Sequence, residues 1–372
     1  MKILFDNRIY KQQNFGGISR YFAELIKGIK TTAGFEAIPE FYYSKNIHLR
    51  DANLTHWNKL SDASPFTGKG HIENLIKKNE EKKIINFIRG NNFQVFHPTY
   101  YDTYFLDYLD TSIPFVLTIH DMIHELYYDP LLEQVGTLTI NKKTLIAKAT
   151  HIVAVSQNTK NDILRFYPET DKDKITVIYH GSSITNPIEN NELYLPPSYF
   201  LYVGNRQYYK NFLWFMESSS DFLRERNITL VCAGGGDFTE FEKNKIINAK
   251  LSGHIKYIPI KDDHQLAWLY KNALCLVFPS LLEGFGIPIL EAFACECPVL
   301  LSNASCFPEI GGDAALYFEI GNRESLIEQM EKMRTDTELV RHLQCAGKER
   351  LKMFNWQNMV QKHLMIYKSI AK

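Results

Sequence analysis

Two doubly wound α/β domains, each on a parallel sheet, are what the patterning of this chain predicts. Three observations carry that expectation. Short apolar runs recur at Lys2 to Phe5, Tyr199 to Val203, Ile228 to Cys232 and Ala273 to Phe278, and each is followed by a glycine-bearing turn, as the strands of a parallel sheet often are. The chain is 372 residues long, which is long for one core and suits two. After His180-Gly-Ser it is punctuated by Asn186-Pro187, Pro196 and Pro197, a linker that predicts domains over 1–185 and 186–354 and a closing helix over 355–372.

The first strand, Lys2 to Phe5, leads to Asn14-Phe-Gly-Gly-Ile-Ser-Arg-Tyr-Phe22, where a loop enters a helix with Ile18, Phe22, Leu25, Ile26 and Ile29 on one face. The Gly16–Gly17 turn can present N–H groups to phosphate, although paired glycines more often serve as a tight connection. Ser44 to Gly70 loses periodicity and reads as a loop or insertion. The helix Ile72 to Arg89 carries Lys77, Lys78, Lys82 and Lys83, either a solvated face or a contact with an anionic membrane surface or lipid diphosphate. Val95 to Pro98 and Phe115 to Asp121 read as strands, the second with His120 and Asp121 just past its last apolar residue. A histidine there could be a satisfied core residue, but the carboxyl end of a parallel strand favours a ligand role. His120 is therefore the leading candidate of this half, ahead of His97 and His124. Ile152 to Ser156, a helix near Asn158 to Phe166 and a strand at Ile175 to Tyr179 complete it.

In the second half, Tyr199 to Val203 is followed by Gly204-Asn-Arg-Gln-Tyr-Tyr-Lys-Asn211. Arg206 and Lys210 could clamp a diphosphate and stabilise a leaving nucleotide; simple surface charge is the bland alternative. Ala233-Gly-Gly-Gly236 lacks the G-x-G-x-x-G spacing of a dinucleotide fingerprint, which disfavours a nicotinamide oxidoreductase. Ile255 to Ile258 and Pro298 to Asn303 read as strands, and Ser325 to Arg334, Thr337 to Met353 and a last stretch to Ile370 as helices.

Between those strands lies the stretch with the most chemistry. After Phe278 comes Pro-Ser-Leu-Leu-Glu283-Gly284-Phe285-Gly286-Ile287-Pro288, then a helix with Glu291 in its first turn. The glycines permit close approach of backbone to ligand, and the helix N-terminus behind them suits an anion. Glu283 and Glu291 would repel phosphate, so they fit neutral hydroxyls instead, such as a ribose at one end and a hexose at the other. The alternative is a solvated Glu283 and a helix-capping Glu291.

Composition narrows the classes. Lys plus Arg and Asp plus Glu number 42 each, so no global field favours nucleic acid. The start, Met1 to Asp6, has too short an apolar run for a signal-peptide core, which predicts a cytoplasmic protein, with peripheral contact at the inner membrane face as a further expectation. The six cysteines read as buried thiols rather than a metal knuckle. No Asp-x-Asp of the kind that carries a divalent ion is evident, so no metal is expected.

Glu283-Gly-Phe-Gly-Ile-Pro-Ile-Leu-Glu291 resembles the E-x7-E signature of glycosyltransferase family 4, retaining enzymes of the GT-B architecture with two Rossmann-like domains. Thr118-Ile-His-Asp121 and Pro308-Glu-Ile-Gly-Gly-Asp-Ala-Ala315 resemble further family elements, and the likeness covers nearly the whole chain, most closely Tyr199 to Asp313. It implies transfer of a hexose from a nucleotide diphosphate sugar without a metal or other cofactor. On that likeness Gly16 and Gly17 face donor phosphates and acceptor, His120 contacts the donor sugar near the reacting carbon, Gly284, Phe285, Gly286 and Ile287 line the donor, and closure of the domains completes the site. The family places a basic residue directly after the glycine where Asn205 stands here, so Lys210 matches more securely than Arg206. The strings around Gly16 and Lys210 look most like mannosyltransferases of O-antigen or capsule synthesis. The expected donor is thus GDP-mannose and the acceptor a glycan or lipid-linked oligosaccharide, with a UDP-hexose donor, or a non-catalytic nucleotide-sugar binder, as the alternatives.

Overall fold

The computed structural model describes residues 1–39, 44–55, 69–127, 133–184, 194–206 and 208–371, and the chain divides into two units. Unit 1 is Met1–His180 with Trp356–Lys372; unit 2 is Gly181–Asn355. Asn186 and Pro187 of the expected linker, and 56–68 of the expected insertion, lie outside the described residues.

Unit 1 carries β1 (Lys2–Phe5), β2 (Glu36–Ile38), β3 (Val95–His97), β4 (Val116–Ile119), β5 (His151–Ala154) and β6 (Ile175–Val177), all paired in parallel as β2-β1-β3 and β4-β5-β6. The two triplets meet at one bridge between Phe96 and Phe115, where the Phe96 N–H donates to the Pro114 carbonyl at 3.1 Å. Pro114 has no N–H with which to extend the ladder on that side. The strands read as continuous apolar runs because both faces are covered. Ile3, Phe5, Val95, Val116 and Val153 pack with Tyr21, Phe22, Leu25, Ile26 and Ile29 of the helix Gly17–Lys30, whereas Leu4, Phe96, Leu117, Ile119 and Ile152 pack with Ile84 and Ile88. The last helix, Trp356–Ile370, joins the first of these cores through Met359, Val360, Leu364 and Tyr367. Gly28 allows that approach: a Cβ there would lie 2.4 Å from Val360 Cγ2.

Unit 2 is one six-stranded parallel sheet of β7 (Tyr199–Val203), β8 (Thr229–Ala233), β9 (Ile255–Ile258), β10 (Leu276–Phe278), β11 (Val299–Ser302) and β12 (Ala315–Phe318), in the order β12-β11-β10-β7-β8-β9. The chain lays β8 and β9 on one side of β7, then returns to lay β10 to β12 on the other. The strand order therefore reverses between β7 and β10, and the loops at their carboxyl ends diverge there, which opens a crevice in doubly wound sheets.

Elements expected from sequence end within a few residues of the observed ones. No strand is expected from sequence at β2 or β12: β2 is three residues at a sheet edge, and β12, the apolar run Ala315-Leu-Tyr-Phe318, begins on the last residue of the Pro308–Ala315 segment. The stretch expected to be a loop contains the short helix Ile47–Asp51, capped by Asn46 Oδ1, which accepts from the Leu49 N–H at 3.1 Å. Of the six cysteines, Cys345 is exposed and the other five are buried, all unbridged. Among the described residues no helix is long and apolar enough to cross a membrane.

Candidate active site

At the reversal point of unit 2 the loops after β7 and β10 are tied together. The Leu281 N–H donates to the Tyr209 carbonyl at 2.7 Å, and Lys210 Nζ meets Glu283 Oε1 at 2.5 Å. Ser280 Oγ donates to the same carboxylate oxygen at 2.8 Å. Asn211 takes the left-handed conformation, φ 55°, which starts the helix Phe212–Glu225. The next loop braces this one from below: Ser305 Oγ donates to the Glu283 carbonyl at 2.7 Å and accepts its N–H at 3.1 Å, and Ser302 Oγ donates to the Ser280 carbonyl at 2.6 Å. Lys210 and Glu283 are thus a positioned, largely buried pair whose side chains are 14% and 12% exposed.

Gly286 caps the helix Ile287–Ala294 with φ 91°, a conformation in which a side chain is strained, and a Cβ would stand 2.9 Å from Ile289 Cδ1. Pro288 occupies the first turn, where its missing N–H leaves no bond unmade. Glu291 is buried and accepts from the Tyr270 hydroxyl at 3.0 Å, so its carboxylate is held in one direction. The Phe285 ring is core, edge-on to Phe354 at 5.9 Å, and its carbonyl accepts from Cys306 Sγ at 3.2 Å. Ile287 is half-buried.

Arg206 and Lys210, expected to form one clamp, go to different partners. The Arg206 guanidinium donates to Glu242 at 2.6 and 3.4 Å and to the carbonyls of Gly234, Gly236 and Asp237 at 3.4, 3.0 and 3.0 Å. Gly234, Gly235 and Gly236 all have positive φ, and a Cβ on Gly235 would lie 2.7 Å from the Gly204 carbonyl oxygen, so this turn packs directly on the loop after β7. Partial burial raises the Glu242 carboxyl, but hydrogen bonds from Arg206 and Thr239 outweigh it and hold it below the ordinary range.

In unit 1, Gly16 precedes the helix Gly17–Lys30, and the Gln13 side chain sits where a Cβ on Gly16 would be, its Oε1 accepting from the Ser19 N–H at 3.2 Å. His120 follows β4. Its backbone N–H donates to the Tyr101 hydroxyl at 2.8 Å, its ring stands edge-on to Tyr21 at 5.0 Å and parallel to His180 at 6.1 Å, and Nε2 has no partner among the described residues. Burial pushes the imidazole down to about 4; Asp121 opposes this, while Lys142 and His363 add to it. His120 is therefore neutral near pH 7.

His97 has another task. Its Nδ1 faces the Tyr367 hydroxyl at 2.6 Å and its Nε2 faces Thr118 Oγ1 at 2.9 Å; Thr118 Oγ1 reaches the Tyr21 hydroxyl at 3.2 Å, and Tyr21 reaches His363 Nε2 at 2.7 Å. The chain ends with His363 Nδ1 at 2.8 Å from the Met359 carbonyl, which can only accept. With His363 neutral, its pKa pushed by burial down to about 4, every proton runs one way from Tyr367 to Met359. His97 thus fastens the last helix to β3 and β4. His124 Nδ1 is buried without a partner among the described residues.

Among the described residues no group of three or more His, Cys, Asp and Glu is placed to hold a metal ion. Asp171-Lys-Asp173 is spent on a turn, Asp171 Oδ1 accepting from the Asp173 N–H at 2.9 Å. A cavity of about 660 Å³ opens at the amino ends of β1 and β2, lined by Lys2, Glu36, Phe87 and Gln94, and holds none of the expected site residues.

Two family models match the chain: the one described as Glycosyl transferases group 1 matches residues 183–350, and the one described as Glycosyltransferase Family 4 matches 59–185. The chain belongs to glycosyltransferase family 4 and has the GT-B fold. It is 29% identical over 209 residues to the O-antigen chain mannosyltransferase RfbU of Salmonella typhimurium, a match spanning 56% of this chain and 58% of that one. It is 24% identical to the O-antigen chain mannosyltransferase B of Escherichia coli over 99% of this chain and 100% of that one. Among solved structures, sucrose-phosphate synthase from Thermosynechococcus elongatus has a TM-score of 0.74 and 18% identity, covering 99% of this chain and 98% of that one. Anabaena HepE, in complex with UDP and glucose, has 0.73 and 15%, covering 99% and 100%. At those identities the likeness is one of fold.

Sequence reasoning missed Ser280 and Ser305, which brace Glu283, Tyr270, which orients Glu291, and the buried Lys142 behind His120. Serines in loops and a lysine in a helix carry no local signal of such partners.

Proposed function

We propose that the protein is a retaining mannosyltransferase that moves mannose from GDP-mannose to a hydroxyl of a growing surface glycan or lipid-linked acceptor, using Glu283, Lys210 and His120. The observation that carries this reading is the Lys210–Glu283 pair at the strand-order reversal of unit 2. A carboxylate repels a diphosphate and an ammonium attracts it, so one pair supplies an acceptor for sugar hydroxyls and a cation for the leaving group. Glu291, steered by Tyr270, takes ribose hydroxyls, and the backbone at Gly284, Gly286, Gly16 and Gly17 admits the diphosphate. Arg206 contributes by holding the Gly234–Asp237 turn. The names of the O-antigen relatives support mannose.

The bond from the sugar's anomeric carbon to the diphosphate oxygen breaks, the acceptor oxygen bonds to that carbon from the same face, and the acceptor proton passes to the departing diphosphate. Neutral His120 hydrogen-bonds the sugar beside that carbon. No carboxylate pair of the kind retaining hydrolases use is needed. Lys78 and Lys82, exposed on the helix Lys69–Gly90, support contact with an anionic membrane face in the same reading.

Thermal shift against GDP, UDP, ADP, NAD and their sugar forms, with a chelator present, tests the donor. The reading expects GDP to stabilise and GDP-mannose to stabilise further; a shift with UDP-hexoses alone replaces the donor, and a shift with no diphosphate removes the reading. Glu283→Gln and Lys210→Met should each lower turnover on the order of 10²-fold or more while the protein stays folded. Unchanged turnover in either would withdraw that residue.

A further inference from the structure

Behind His120, the helix Glu133–Lys148 sends a fully buried lysine into the interior of unit 1. The side chain of Lys142 is 0% exposed and that of its partner Glu125 is 2% exposed, with Nζ to Oε2 at 2.8 Å. Nζ also donates to the main-chain carbonyl of Asp121 at 3.1 Å and lies 5.0 Å from the centroid of the Tyr101 ring. The hydroxyl of that tyrosine accepts the His120 N–H, and Asn141, next to Lys142, donates from Nδ2 to the Tyr101 carbonyl at 3.2 Å. Glu125 is held in turn by the Tyr167 hydroxyl at 3.4 Å. Asp121 spends its own carboxylate on the Ile123 N–H at 3.0 Å.

Burying a complete ion pair is expensive, and an apolar pair of similar volume would hold these helices together at least as well. What an ammonium adds is direction. It fixes the carbonyl of Asp121, one peptide beyond the bond that follows His120, while Tyr101, against which it rests, fixes the His120 N–H. The peptide before His120 and the one after Asp121 are therefore both held, which restrains the short segment that carries the imidazole, and Nε2 is unpartnered among the described residues.

We infer that Lys142 is a positioning residue for the transfer reaction, acting through the Asp121 carbonyl and Tyr101 to hold His120 at the angle its contact with the donor sugar requires. The inference rests on the role proposed for His120. It makes Lys142 and Tyr101 matter for turnover and not for donor binding, since the donor-binding groups proposed above are mainly those of unit 2.

The test uses the full chain in three forms. Lys142→Met/Glu125→Gln removes both charges, so no unpaired charge stays buried; Tyr101→Phe removes the acceptor of the His120 N–H and leaves the ring; His120→Ala is the reference. Small displacements of a catalytic group cost on the order of 10- to 100-fold, so the first two should lower kcat by about that much with donor Kd unchanged. If both keep wild-type kcat, or if kcat and Kd worsen together in both, the inference is overturned. Wild-type turnover in His120→Ala overturns instead the role proposed for His120, which separates that failure from this one.

Discussion

Replacing Arg206 with methionine separates the two tasks open to that arginine, holding the Gly234–Asp237 turn and meeting a ligand. Its guanidinium bonds Glu242 twice and the turn three times, and the two side chains are only 4% and 10% exposed. Removing one member of a buried pair leaves the other charge uncompensated and costs about 3–5 kcal/mol. Glu242 keeps its bonds from the N–H and hydroxyl of Thr239, at 2.7 and 2.9 Å, which sets the expectation at the lower end, about 3 kcal/mol. For a unit the size of Gly181–Asn355 each kcal/mol moves Tm by about 2–4 °C, so Arg206→Met should lose about 6–12 °C. The pH dependence gives a second readout. A carboxyl held below its ordinary value stabilises the fold above the unfolded pKa and loses that contribution as pH falls through its folded value. Wild type should therefore lose more stability than Arg206→Met below about pH 4. Calorimetry with and without donor decides the matter. A variant within about 2 °C of wild type whose donor Kd has risen a hundredfold would refute the reasoning and return Arg206 to the diphosphate.

Two further outcomes follow from the same geometry. Gly286→Ala forces a side chain into φ 91° and to within 2.9 Å of Ile289 Cδ1, so it should cost about 1–3 kcal/mol in chemical denaturation and lower turnover further; a neutral substitution would contradict the left-handed cap. His120 and His363 are both held to about 4, so the unfolded state takes up protons first as pH falls through 6.5, and stability drops across the window from 6.5 to 4. At pH 5 the loss is about 2 kcal/mol per histidine, read as the denaturation midpoint between pH 7.5 and 5.0, and a flat profile would mean that these rings are not buried neutral.

Much of the architecture was legible in the chain, and the reason is local. Whether Tyr199 to Val203 extends, whether Gly286 turns left-handed and whether Pro288 opens a helix depend on neighbours a few positions away. The place of the candidate residues was legible too: His120 directly follows β4, and Lys210 and Glu283 lie in the loops after β7 and β10, at the carboxyl ends of parallel strands. Side-chain partners were not legible. Arg206 and Lys210 sit four positions apart yet serve different loops, and nothing near Arg206 in sequence announces Glu242. The sequence by itself determined two α/β units, the glycine turns and the E-x7-E segment. Only tertiary structure decided that Lys210 reaches Glu283, 73 positions on, that Glu291 leans on Tyr270, and that His97 belongs to the chain fastening the last helix rather than to a ligand. Those bonds exist because strand order places β7 beside β10 and the last helix beside the first core, and strand order is set by burial of both sheet faces over the whole chain, which no short stretch of residues encodes.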